Sequence, residues 1–391
     1  MIILLLLFGF VTVSALPAPP KYQLIYLQAV WRHGDRTPQK SLKNDPIKES
    51  TWQEKYGIGF GELTPLGVKQ HVKLGRAIRR RYIEQDFQFL PDVYNSTVMH
   101  IRSTDIDRTF KSGEANIIGM YPNDHNFTLH RVEGIKRDCA GAIFCKCPRM
   151  EKLLQLSKNL DENKELVRNP KIDKILKELS QIYGQSITMD NVWMVFDNLN
   201  CQRIHFSKKL NEEKWYSEEL FEKVLQVSYE SNERYFGLYE KENSTILDGV
   251  NIAKEMKKLR VGALIGEIVE RLQEKLENPE VEPIKYHAYS AHDATVYALL
   301  TAFNLQNHAA SSPGEWPHYS AAAFIELYVD QHNQPYFKLI YRKNENADFD
   351  DLTANIFECA GRHYCPFSVV KKVAKIYKFD EPVLEYCQRL P

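Results

Sequence analysis

The segment Arg32-His33-Gly34-Asp35-Arg36-Thr37-Pro38 sets a guanidinium on either side of an imidazole, with a glycine beside it. Guanidinium forks match phosphate oxygens two at a time. A neutral imidazole can attack phosphorus and form a phosphohistidine. The glycine lets backbone and substrate approach closely. By chance the pattern Arg-His-Gly-x-Arg-x-Pro arises in only about one chain in ten thousand of average composition. Two further segments could complete such a site. Arg102-Ser103-Thr104-Asp105-Ile106-Asp107-Arg108 offers more positive charge, and His292-Asp293 offers a second imidazole and a carboxylic acid. A leaving alkoxide needs a proton, and a carboxyl group can give one when protonated, which low pH favours. No cluster of Asp, Glu and His has metal-ligand spacing, so arginines would take the place of a metal clamp. No metal and no cofactor are expected.

These residues need elements that bring them together. Tyr22 to Trp31 is a nearly continuous apolar run that suits a buried parallel strand and ends at Arg32-His33. Val98 to Ile101 reads as a short strand ending at Arg102, and Ile284 to Tyr289 as a strand running into Ser290-Ala291-His292-Asp293. Thr64-Pro65 signals a helix start, continued by Leu74, Ile78 and Tyr82. Ile106, Phe110 and Ile117 mark a helix that Pro122 stops. Val261 to Leu276 is amphipathic, and Val296, Leu300 and Phe303 form the inner face of a helix after Asp293. Phe324 to Val329 and Tyr336 to Tyr341 flank a polar turn and read as a hairpin. Strand–helix alternation at both ends of the chain gives an α/β fold with a mainly parallel sheet flanked by helices. In such sheets ligands bind outside the carboxyl ends of the strands, where all three loaded segments fall. Residues 123–258 change character, with Lys- and Glu-rich helical stretches such as Lys152 to Leu166 and Ser217 to Tyr235. They read as an inserted, mostly helical cap domain. Residues 16–122 and 259–391 then form the α/β catalytic domain.

The chain has 391 residues, with 51 Lys and Arg against 51 Asp and Glu. Zero formal charge gives no electrostatic case for nucleic acid or an anionic membrane as partner. Met1 to Val13 is almost wholly apolar, and Val13-Ser14-Ala15 offers small residues for cleavage. Residues 1–15 therefore read as a secretory signal peptide, too short in its apolar run to span a bilayer. Secretion is the expected fate, with the lysosomal lumen as the alternative. Sequons at Asn95, Asn126 and Asn243 are candidate glycosylation sites. Seven cysteines fit an oxidising compartment, and the odd count leaves at least one thiol free or paired between molecules. Cys359 and Cys365 would close a short loop. Cys139, Cys145 and Cys147 crowd together, but without a Cys-x-x-Cys knuckle they do not read as a zinc site.

Arg32 to Pro38 resembles the signature of the histidine acid phosphatases, a branch of the phosphoglycerate-mutase-like superfamily. His292-Asp293 after a strand resembles that family's second signature, and Arg102 to Arg108 its Arg-Ser-Thr-x-x-x-Arg element. The resemblance covers nearly all of the mature chain, points to the prostatic and lysosomal types in particular, and is weakest across the helical insert. It implies His33 as nucleophile and Asp293 as proton donor, with Arg32, Arg36, Arg102 and His292 binding the phosphoryl group. It implies small-molecule or peptide phosphate monoesters as substrates, a phosphohistidine intermediate and a homodimer. Cys147–Cys387 and Cys359–Cys365 resemble two family disulfides. Cys201 resembles half of a third, whose other half falls at Ala321-Ala322-Ala323. Cys201 is thus left to pair with Cys139 or Cys145, or to stay free, and it is the foremost candidate for a free thiol. Asp35 is read as a structural partner for an arginine. Trp193 is read as packing in the insert, and the resemblance puts it near the substrate mouth. Two alternatives stand beside the acid phosphatase: a phytase or inositol-polyphosphate phosphatase of the same superfamily, and a secreted phosphoryl-binding glycoprotein without activity. The second is disfavoured because nucleophile, arginines and acid are all present.

Overall fold

The apolar run after Lys21 is a central strand, hydrogen-bonded to a neighbour on each side and covered by helices on both faces. The computed structural model describes residues 21–124, 126–142, 145–239, 242–309 and 316–391, without the side chains of 242 and 243. The signal-peptide expectation for residues 1–15 and the Asn243 side chain therefore lie outside the described residues. Eight strands form the main sheet: β1 (Tyr22–Arg32), β2 (Met99–Ser103), β3 (His130–Arg131), β4 (Tyr286–Ala291), β5 (Ala322–Asp330), β6 (Pro335–Arg342), β7 (Asp350–Asp351) and β8 (Cys365–Pro366). Their order is β8-β6-β5-β1-β4-β2-β3, with β7 on β6. The half that carries the motifs, β1-β4-β2-β3, is parallel throughout. The expected hairpin is β5–β6, and it continues the sheet antiparallel from β1.

Five helices matter for the site: α1 (Pro65–Arg79), α2 (Asp107–Met120), α3 (Val192–His205), α4 (Ile252–Glu277) and α5 (Asp293–Ala302). Alternate residues of β1 face opposite layers, as a period of two requires. Leu27, Ala29 and Trp31 pack with Leu74 and Ile78 of α1 and Ile117 and Met120 of α2. Tyr26 and Val30 pack with Leu264 and Ile268 of α4 and Val296 and Leu300 of α5. The result is a three-layer sandwich with both sheet faces covered, the arrangement a parallel sheet needs. Thr64 caps α1 by accepting from the Gly67 amide, with Pro65 at the first helical position.

Most of 123–258 is helical, with its own core of Leu179, Val195, Leu199 and Val224. Three details differ from the sequence expectation. The stretch from Lys152 to Leu166 is two helices, Pro148–Ser157 and Asp161–Arg168. The Asn163 amide donates to the Ser157 carbonyl at 2.6 Å, satisfying the end of the first helix. Asp161 and Glu162 then favour a new helix start through the positive end of its dipole. At the segment's two ends, β3 belongs to the sheet, and α4 runs unbroken across residue 258 into the α/β core.

Three disulfides join Cys147 to Cys387, Cys359 to Cys365 and Cys139 to Cys145. Cys201 is a buried free thiol. Among the described residues, no helix is long and apolar enough to cross a membrane.

Candidate active site

Register brings the motifs together. Arg32 lies opposite Ala291 across β1–β4, and Ser103 lies opposite Ser290 across β4–β2. The three strands therefore end level. The His33 amide donates to the Ala291 carbonyl at 3.0 Å, so His33 and His292 emerge side by side, ring centroids 5.7 Å apart. Beyond this edge opens a cavity of about 1770 Å³ between the sheet and the helical region. Arg32, His33, Arg36, Arg108, His292 and Asp293 all line it.

His33 is 2 % exposed. Its Nδ1 lies 2.8 Å from the Gly34 carbonyl oxygen. A carbonyl only accepts, so Nδ1 carries the proton and Nε2 keeps its lone pair. Burial, then the positive charges of Arg108, Arg32 and Arg36, hold the imidazole well below its usual range. The lone pair thus survives at acid pH, where an ordinary imidazole is protonated. His292 is pushed down by burial and by Arg108, Arg36 and Arg32, and its Nε2 meets the Thr104 hydroxyl at 3.1 Å.

Arg32 donates to the Pro317 carbonyl at 2.7 Å, lies over the Tyr319 ring, and pairs with Asp293 at 3.0 Å. Asp293 is the first residue of α5 and accepts from the Ala294 amide at 2.8 Å. Arg36 pairs with Asp197 of α3 at 2.8 Å. The buried Nε atoms of Arg32, Arg36 and Arg108 have no partner among the described residues. Three unanswered donors around one imidazole are what a phosphoryl group would satisfy.

The structure corrects one expected site residue. Arg102 does not line the cavity. Its guanidinium is taken by Asp138 at 2.6 Å and Glu267 at 3.3 Å, over the Tyr289 ring. The cause is strand alternation: Met99 and Ile101 of β2 face α1 and α2, so Arg102 faces α4, which carries Glu267. The cavity instead receives Arg108, the last residue of the same seven-residue motif, in the first turn of α2. Among the described residues Arg108 forms no ion pair, and its only hydrogen bond is a long one of 3.4 Å to the Gly61 carbonyl. Burial and the charge of Arg36 push it down to about 10. A buried cation beside another cation calls for an anion. A helix start after a strand faces the carboxyl edge of the sheet, and that signal could have selected Arg108 from the sequence.

Among the described residues Asp35 pairs with no arginine. Its carboxylate is bonded to the Thr64 hydroxyl and to His205 Nε2, the latter at 2.6 Å. Trp193 lies in the insert and lines the cavity. Among the described residues, no group of three or more His, Cys, Asp or Glu side chains is placed to hold a metal ion.

A strand-end histidine ringed by arginines, at the carboxyl edge of a sheet under a helical cap, defines a phosphoryl-transfer site of the phosphohistidine type. Residues 23–342 match the sequence profile of the histidine phosphatase superfamily, branch 2. Human prostatic acid phosphatase is 31% identical over 336 residues, covering 83% of this chain and 78% of its own. Lysosomal acid phosphatase of Xenopus laevis is 29% identical over 366 residues, covering 90% of this chain and 76% of its own. The apo form of Hafnia alvei phytase superposes with a TM-score of 0.69 at 14% identity, covering 96% of this chain and 100% of that one, which shows a shared fold. The chain belongs to the histidine phosphatase superfamily, branch 2, and is a phosphoric monoester hydrolase.

Proposed function

We propose that this protein is an acid phosphatase that hydrolyses phosphate monoesters in two steps, with the following residue roles. His33 Nε2 attacks phosphorus and forms the N–P bond as the ester P–O bond breaks. Asp293 gives its proton to the leaving oxygen. Water then attacks phosphorus, Asp293 takes its proton, and the N–P bond breaks to release phosphate and restore His33. Arg32, Arg36, Arg108 and His292 hold the phosphoryl oxygens throughout. An arriving phosphoryl group takes Arg32 from Asp293, which turns the carboxyl group towards the leaving oxygen.

The observation that carries this reading is the tautomer of His33 set by the Gly34 carbonyl, in one cavity with three arginines whose Nε atoms have no partner among the described residues. Acid-labile phosphate trapped on wild-type protein, and absent from His33→Ala, tests it. A His33→Ala protein with normal turnover would overturn the assignment.

The width of the cavity raises the phytase alternative, and its charges argue against it. Of the cations on the helical side of the cavity, Lys158, Lys164, Lys177, Arg203 and Arg234 each pair with a carboxylate, and only Arg168 has no ion pair among the described residues. A ligand with many phosphates would meet a largely neutralised wall. Single monoesters are therefore the favoured class, and phytate turnover at acid pH, compared with p-nitrophenyl phosphate, discriminates.

Cleavage of the leader and passage to the extracellular space or the lysosomal lumen fit three disulfides and exposed Asn95 and Asn126. A mass shift on glycosidase treatment of the mature protein tests sugar at these asparagines and at Asn243. Homodimer formation is read out by sedimentation. The 123–258 segment serves as the cap that bounds the leaving-group side of the cavity.

A further inference from the structure

Helix α3 belongs to the inserted region, yet five of its contacts fall on the loop that follows the nucleophile. Asp197 Oδ1 pairs with Arg36 Nη2 at 2.8 Å, and its Oδ2 accepts from the Gln39 amide at 2.8 Å. The Asn198 amide donates to the Lys40 carbonyl at 2.9 Å, and the Gln202 amide to Asp45 at 2.6 Å. His205 Nε2 meets Asp35 at 2.6 Å. These contacts lie along one face of the helix and stitch it to residues 35–45.

Asp197 stands apart from the other contacts because it reaches a phosphate binder. It is 8 % exposed and lines the cavity with both carboxylate oxygens engaged. The Arg36 guanidinium has Nη2 on Asp197 and Nη1 on the Thr37 carbonyl at 3.1 Å. With both terminal nitrogens committed, the plane of the fork is set, and the buried Nε remains the unpartnered donor. Without its Nη2 partner the guanidinium is held only through Nη1 on Thr37, and the direction of the Nε donor is less firmly set.

We infer that Asp197 is a positioning residue for phosphoryl capture: it fixes the Arg36 fork from the cap, through the Asp197–Arg36 pair and the Asp197–Gln39 bond. The inference rests on the phosphohistidine reading above. It makes the inserted region part of the phosphate site and not only a wall on the leaving-group side.

A double-mutant cycle tests it, using Asp197→Ala, Arg36→Ala and the double variant, with kcat/KM on an alkyl and an aryl phosphate and the affinity for inorganic phosphate as readouts. Asp197→Ala should lower kcat/KM about 10²-fold, the scale of a small misplacement of a reacting group. The loss should be the same for both esters, because Arg36 meets the phosphoryl group common to them. In the Arg36→Ala background the second substitution should add almost nothing to either readout, since the residue it positions is gone. Asp197→Asn, which keeps an acceptor for Nη2, should recover most of the loss and covers the case in which Asp197→Ala does not fold. Additive losses, or an Asp197→Asn protein as impaired as a well-folded Asp197→Ala, would overturn the inference while leaving the phosphohistidine reading intact. A wild type that yields no acid-labile phosphoenzyme would overturn that reading, and this inference with it.

Discussion

Asp293 and Arg32 hold each other at 3.0 Å, so in the proposed mechanism one contact joins the leaving-group end to the phosphoryl end. Substitutions can separate the two ends. Asp293→Asn keeps size and removes the proton, and general acid catalysis contributes about 10²–10⁴-fold. The loss in kcat/KM should be of that order for an alkyl phosphate and much smaller for p-nitrophenyl phosphate, whose phenolate leaves well unaided. Equal losses on the two esters would remove Asp293 from the proton-donor role. Arg108→Ala should cost about 10²–10³-fold, equally for both esters, as expected for a lost donor to the transferring group. Arg102→Ala should leave kcat/KM near the wild-type value and lower Tm, because Asp138 is left buried without its guanidinium. The reverse pattern for the two arginines would return Arg102 to the site. Both arginines are visible in one seven-residue motif, but only strand alternation and the position of α2 decide which of them faces His33.

Helix α1 meets the loop that follows β1 with backbone against backbone. A Cβ on Gly34 would fall 2.4 Å from the Gly67 carbonyl oxygen, and a Cβ on Gly67 would fall 2.2 Å from that of Asp35. The same turn is tied by Thr64, which caps α1 and bonds the Asp35 carboxylate. Gly34→Ala must push loop and helix apart, at an overpacking cost of about 1–3 kcal/mol. Thermal melts should show a lower Tm, and kcat/KM should fall further than stability alone explains, because His33 moves with the loop. Wild-type values in both measurements would mean that the close approach does not constrain the loop. The glycine's place in the motif is legible in sequence. Its contact is not, because Gly67 is 33 positions away in a separate element.

The whole molecule carries no net charge, so its pH response comes from individual buried groups. His71 is fully buried, with Nε2 on the Arg32 carbonyl at 2.9 Å. Burial pushes it down to about 4. The unfolded chain therefore binds a proton near pH 6.5 that the folded chain refuses until about pH 4. Stability is fully present above pH 6.5 and declines as pH falls through that window, where an acid phosphatase works. His71→Gln can still donate to Arg32 and does not titrate. Its Tm should fall less than the wild-type Tm between pH 7 and pH 4. Parallel Tm curves would mean that His71 does not contribute to the acid sensitivity.

Chemistry was legible in the sequence where it is local. Arg32-His33-Gly34-Asp35-Arg36 places the proposed nucleophile and two proposed phosphate binders within five residues, and strand-length apolar runs ahead of His33 and His292 put both at the carboxyl edge of a parallel sheet. The odd cysteine count left one thiol unassigned, and the family resemblance, whose third disulfide meets alanine here, made Cys201 the foremost candidate for the free thiol that the structure contains. What depends on contacts between distant segments was decided by tertiary structure alone. Asp35 takes His205 and Thr64 in place of an arginine because α3 and α1 converge on its loop. Arg102 turns to α4, Arg108 to His33, and Asp197 reaches Arg36 across 161 positions of chain. A motif states which side chains are near in sequence. Which of them share a cavity depends on the face each strand residue presents and on which helix packs there, and those follow from the packing of the whole chain.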